Sequence, residues 1–266
     1  MRKTITITLL LFSVLVVYSQ NKITGVLTDN SNQKIKLVGY AGFGSYTIDS
    51  TQTNEKGEFK LAFTKKDYGM AHLISESNKP FVVILTDENV MIKEKRMEDA
   101  KNIEIIEDRQ NLLFDQYASE HPHREQTLGA WDYLTKIYKF DTLFSAQQVP
   151  KHAIETEKKR IKAEDSLFLT NLPTGSYVSY YLPLRKLVSS VATIAQYRTE
   201  EIPETLKAFR KLDYTDSRLY KSGLLKDAIE SHFWLIENSG RSLDSVYTEM
   251  QISIDRMLDN LMADKQ

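Results

Sequence analysis

The chain contains no cysteine. Disulfide staples are therefore excluded, and so is thiol–disulfide exchange carried out by this chain alone. Attachment of a bacterial lipid anchor, which needs a cysteine at the processing site, is excluded as well. No charge of one sign dominates: 35 Lys and Arg stand against 36 Asp and Glu, interleaved along the chain. Without a basic stripe to neutralise phosphates, nucleic acid is not an expected partner. Beyond the N-terminus no apolar run approaches the roughly 20 residues of a membrane helix, so no span is expected after processing. Stability must come from burial, for which 266 residues at 41% hydrophobic content suffice.

What is present begins with Met1 to Ser19, which reads as a cleavable signal peptide. Arg2 and Lys3 precede an apolar stretch from Ile5 through Val17, and Val17 and Ser19 suit cleavage before Gln20. The expected location is periplasmic or extracellular.

From residue 20 to 106 the dominant period is two. Ile35 and Leu37, Tyr46 and Ile48, Phe59, Leu61 and Phe63, Val90 and Ile92, and Ile103 and Ile105 each mark one face of a strand. Phe81 to Leu85 is continuously apolar, as in a strand covered on both faces. Asp29 to Asn32, Asn54 to Gly57 and Asp87 to Asn89 separate these strands, and the spacing predicts hairpins with Gly57 in a left-handed conformation. From 107 to 266 the period becomes helical. Stripes such as Ile154, Ile161 and Phe168, or Leu243, Val246, Met250, Ile254, Met257 and Leu261, are separated by Pro122, Pro150, Pro173 to Gly175, and Ser239-Gly240. The fold class is α+β: a small antiparallel β-sandwich or barrel followed by a multi-helix region.

No chemistry-bearing motif stands out. Gly42-Phe43-Gly44-Ser45 lacks the third glycine and the following helix of a dinucleotide loop, and reads as a hairpin loop. His121-Pro122-His123 places two imidazoles near each other on an extended segment, but no third ligand follows at motif spacing. Nucleophile elbows and Ser-x-x-Lys elements with their partner motifs are missing. Lys151 to Asp165 reads as a solvated helix face laced with i,i+4 ion pairs. We therefore expect no catalytic residue, cofactor or metal site. Tyrosines are the suggestive residues: Tyr177, Tyr180 and Tyr181 cluster before Pro183, with Tyr214 and Tyr220 further on. Such a surface suits a peptide or glycan, and core packing between helices accounts for the same residues equally well.

Several phrases taken in order resemble a known family. Ile23-Thr24-Gly25-Val26-Leu27, Ile48-Asp49-Ser50 and Lys56-Gly57-Glu58-Phe59 resemble the small β-domain of unknown function that precedes exported thioredoxin-fold proteins of the TlpA-like disulfide reductase group. Asn171-Leu172-Pro173 with Tyr177-Val178, and Leu212-Asp213-Tyr214-Thr215-Asp216-Ser217, resemble the helical connector of those proteins. In that family the redox chemistry belongs to a following thioredoxin domain with a Cys-x-x-Cys pair, for which this chain has no counterpart. The resemblance implies a non-catalytic accessory part, shortened or separated from its catalytic half, with a thioredoxin-fold domain or another periplasmic protein as partner. The rival expectations are an independent peptide- or glycan-binding module and a hydrolase whose site is assembled from distant residues.

Overall fold

The computed structural model describes residues 21–75, 80–94 and 104–263; the expected signal peptide and Ile103 lie outside them. Eight strands come first: β1 (Asn21–Leu27), β2 (Lys34–Ala41), β3 (Gly44–Gln52), β4 (Glu58–Phe63), β5 (Gly69–Ile74), β6 (Pro80–Leu85), β7 (Val90–Glu94) and β8 (Glu104–Glu107). They form two four-stranded sheets, in the orders β4-β1-β7-β8 and β3-β2-β5-β6. The residues that alternate in the sequence meet between them: Ile23, Ile35, Leu37, Leu61, Val83 and Ile92 share one dry core. The sandwich is thus built from inward faces at period two.

Pairing departs from the expectation in two ways. The turns at Asp29 to Asn32, Asn54 to Gly57 and Asp87 to Asn89 instead carry the chain from one sheet to the other, because the strands they join lie in different sheets. The segment Gly42-Phe43-Gly44-Ser45, read as a hairpin loop, is one: a two-residue turn at Gly42-Phe43, where Ala41 pairs with Gly44 and Gly42 takes φ +62°. In addition, β1 runs parallel to β7, with Ile23 opposite Val90, so that sheet is mixed. Periodicity fixes which face of a strand is buried and says nothing of its neighbour.

Eight helices follow: α1 (Arg109–Phe140), α2 (Gln148–Thr170), α3 (Tyr177–Ser189), α4 (Val191–Tyr197), α5 (Ile202–Arg210), α6 (Ser217–Tyr220), α7 (Leu225–Glu237) and α8 (Leu243–Ala263). Pro122 does not break α1, which runs through it with the proline exposed. Pro150 sits in the first turn of α2, where a missing N–H costs no helical bond. Pro173 to Gly175 and Ser239-Gly240 do separate helices, as expected.

The helices cover the outer face of the β3-β2-β5-β6 sheet. Phe81, Val83 and Leu85 of β6 point into the sandwich, while Ile84 packs with Phe114, Tyr117, Val178 and Leu182. This two-sided burial is what the continuous apolar run required. Asn111 of α1 closes the free edge of β6: its Oδ1 accepts the Ile84 N–H at 2.7 Å and its Nδ2 donates to the Ile84 carbonyl at 2.8 Å. A second joint lies at the loop after α6. Gly42 donates its N–H to the Tyr220 carbonyl, and Met70 donates to that of Lys221, both at 2.9 Å.

Candidate functional site

The five tyrosines do not form one exposed surface. Tyr181 and Tyr214 are buried, at 6% and 5% exposure, so neither faces a ligand broadly. Tyr177 is half-buried, stacks on Tyr181 at 6.0 Å and donates its hydroxyl to the Lys221 carbonyl. Tyr180 is half-buried beneath the Arg218 guanidinium, 4.2 Å from the ring centre. Tyr220 is exposed at the joint with the β2–β3 hairpin. Burial raises the phenols of Tyr181 and Tyr214 to about 12. They are neutral in any physiological setting, and packing accounts for most of this cluster.

Tyr181 does, however, help to line a pocket of about 410 Å³ where the sheet meets the helices. Tyr40 and His72 supply the sheet side, and the Tyr40 hydroxyl lies 3.0 Å from His72 Nδ1. Burial lowers the His72 imidazole, favouring its neutral form. Gly223, at φ +72°, lets the loop before α7 lie against the Tyr40 ring, where an added Cβ would sit 2.7 Å from it. Phe114 and Tyr181 meet at 5.9 Å on the helical side, and Arg185 lies over Phe114 at 5.3 Å. Asp115 and Asp227 complete the charged lining. Burial raises the Asp115 carboxyl. Sequence reading missed this site because its residues come from β2, β5, α1, α3 and α7.

A second polar concentration joins α1, α2 and α3. Asp165, 3% exposed, accepts from Lys186 Nζ at 2.6 Å and lies 2.9 Å from His121 Nδ1. Close by, Lys158 pairs with the buried Asp132 at 2.8 Å, and Arg198 with Glu125 at 3.1 Å. The helix expected to present a solvated charged face thus turns Lys158 and Asp165 inward. The signal was present: Ile154, Lys158, Ile161, Asp165 and Phe168 keep one unbroken apolar register. His121 is buried, whereas His123 is exposed. Two positions on a helix separate them by about 200°, so they do not converge on one ion as an extended segment would allow.

His232 and Ser253 make the one histidine–serine contact among the described residues, at 3.1 Å, and both are fully buried. Arg210 also donates to the Ser253 hydroxyl at 3.1 Å. With no exposed surface on either side chain, this arrangement locks α5, α7 and α8 together.

The stripe on α8 splits in two. Val246 and Met250 pack with one helical core and Met257 with another, and Ser253 is buried between them. Leu243, Tyr247, Ile254, Leu258 and Leu261 are exposed, at between 40% and 65%. These five fall within about 60° of one another around the helix axis, forming one uncovered apolar strip. Among the described residues no helix is long and apolar enough to cross a membrane.

No family model matches the chain, and no curated protein matches it. Among solved structures, a 9R-lipoxygenase from Cyanothece aligns over 30% of this chain and 16% of its own, at 15% identity and a TM-score of 0.22. A likeness that slight carries no argument about fold or function.

Proposed function

We propose that this chain is a non-catalytic, exported module that presents a partner or substrate to a thioredoxin-fold domain. The uncovered strip on α8 carries the reading. Five large apolar side chains in one sector are more than scattered exposure explains, and such a patch marks an interaction surface. The order of β-phrases and connector phrases, which resembles the TlpA-like group, supplies the kind of partner. Two features support a non-catalytic role: the chain lacks the cysteines that thiol exchange needs, and its histidine–serine contact is sealed from solvent.

The test is association. The full chain, mixed with a separately expressed thioredoxin-fold domain of a TlpA-like reductase, should sediment as a complex. Leu243→Lys, Ile254→Lys and Leu258→Lys together should abolish the complex and leave the unfolding free energy within about 1 kcal/mol of the parent, since exposed sites contribute little to folding. A clean monomer that ignores the thioredoxin-fold domain would sink the reading.

The pocket between sheet and helices favours a second reading, an independent module that binds peptide or glycan. Aromatic walls with a few convergent polar groups are the usual composition of a small-ligand site.

A further inference from the structure

Three charged side chains line the sheet–helix pocket without an ion pair among the described residues. These are Asp115 of α1 and Asp227 of α7, both exposed, and the half-buried Arg185 of α3. Among the described residues none of the three has an ion pair or a side-chain hydrogen bond. Several buried or half-buried charges of the helical region are matched from within: Lys158 by Asp132, Lys186 by Asp165, Arg198 by Glu125 and Arg210 by Glu249. Opposite charges within reach of one another would pair. In this pocket both signs stay separate, around walls formed by Tyr40, Phe114 and Tyr181.

The complement of such a pocket carries both charges and an apolar body. A zwitterion would engage all three charges at once, whereas a cation would leave Arg185 unused, an anion would leave the two carboxylates unused, and a neutral sugar would use none of the charges. Resting on the pocket reading rather than on α8, we propose that this site binds the free zwitterion of an amino acid or dipeptide. The ammonium lies toward Asp115 and Asp227, the carboxylate on Arg185, and the apolar side chain on Phe114 and Tyr181. The Tyr40–His72 pair, joined at 3.0 Å, offers further hydrogen bonding from the sheet side. A volume of about 410 Å³ falls within the ~300–1,000 Å³ range of small-ligand pockets. Two acids against one base make the ammonium the more strongly held end.

Titration calorimetry on the full chain tests this with alanylphenylalanine, its N-acetyl and C-amide derivatives, and maltose. The free dipeptide should bind, the N-acetyl form at least tenfold more weakly, and the C-amide several-fold more weakly. Asp227→Asn should weaken the free dipeptide at least fivefold while leaving the N-acetyl form unchanged. Arg185→Gln should weaken the free dipeptide and leave the C-amide unchanged. Blocked peptides that bind as well as the free one would overturn the zwitterion assignment, and they require no variant to fold. Binding of maltose without binding of the dipeptide would overturn it too, leaving a glycan pocket. No heat with any of the four would overturn both this inference and the pocket reading, without touching the α8 proposal.

Discussion

His121 Nδ1 lies 2.9 Å from the buried carboxylate of Asp165, and that contact ties α1 to α2 at the centre of the helical region. The His121 ring stacks on Tyr117 at 4.7 Å, and Lys186 brings in α3 through the same carboxylate. Removing the acceptor strands several donors at once. Asp165→Ala should cost about 3 kcal/mol in urea denaturation, because a buried partner left without its counter-charge is strongly destabilising. Lys186→Met should cost under about 1 kcal/mol, since Lys186 is partly exposed and one donor among several. Equal costs would show that the carboxylate is not the hub.

The acid dependence of stability should come in two separate legs. Burial, with the Arg210 charge beside it, lowers His232 to about 4, so the folded chain resists protonation that the unfolded chain accepts from about 6.5 downward. Stability from this group is complete above that point and is lost as pH falls through 4. The loss is on the order of 3 kcal/mol. Burial alone would raise the Asp165 carboxyl, but hydrogen bonds from His121 and Lys186 outweigh it and hold it at about 2. Its contribution is present above about 3.8 and disappears as pH falls through 2. Denaturation midpoints measured from pH 7 to pH 2 should show both legs, and His232→Gln should flatten the first while sparing the second.

The sequence carried the α+β class, the sandwich faces and the doubly covered β6, because each follows from one segment's own periodicity. It carried less about pairing. The parallel contact of Ile23 with Val90 joins residues 67 positions apart, and nothing local at either end announces it. The buried charges were half legible: Lys158 and Asp165 stand in the apolar register of α2, but the Asp132 and His121 that receive them stand on α1. The sheet–helix pocket was legible only through Tyr181, since Tyr40, His72 and Asp227 converge by tertiary packing.

Gly57 separates backbone strain from steric exclusion. It has φ +78°, and a Cβ there would lie 2.1 Å from the Leu27 carbonyl oxygen, whose own N–H donates to the Gly57 carbonyl at 2.9 Å. Gly175 has the same φ of +78° with nothing within 4 Å of its would-be Cβ. Gly175→Ala should therefore cost about 1 kcal/mol, the strain of the left-handed conformation. Gly57→Ala should cost at least about 2 kcal/mol, because strain and a backbone clash combine. Similar values for the two would mean that the Asn54–Gly57 turn does not seat against the end of β1.

Asn111 gives the most specific test of how the helices attach to the sheet. As an edge strand, β6 leaves the N–H and C=O of Ile84 without a strand partner on one side, and the fully buried amide of Asn111 supplies both missing bonds. The Asn111 Nδ2 also donates to Asp108 Oδ2 at 2.8 Å, while Asp108 caps α1 by accepting the N–H of Gln110 at 2.8 Å and of Asn111 at 3.0 Å. One side chain thus couples the start of α1 to the edge of the sheet. Asn111→Leu should cost about 2–4 kcal/mol, since a buried donor and a buried acceptor on Ile84 lose their partners together. Asn111→Asp keeps an acceptor for the Ile84 N–H, but it sets a carboxylate against both the Ile84 carbonyl and Asp108. It should therefore rescue none of the loss at neutral pH. Hydrogen exchange separates the variants: the Ile84 amide should exchange faster in Asn111→Leu and remain protected in Asn111→Asp, although both are destabilised. Protection of Ile84 unchanged in Asn111→Leu would show that the strand edge is held by packing alone.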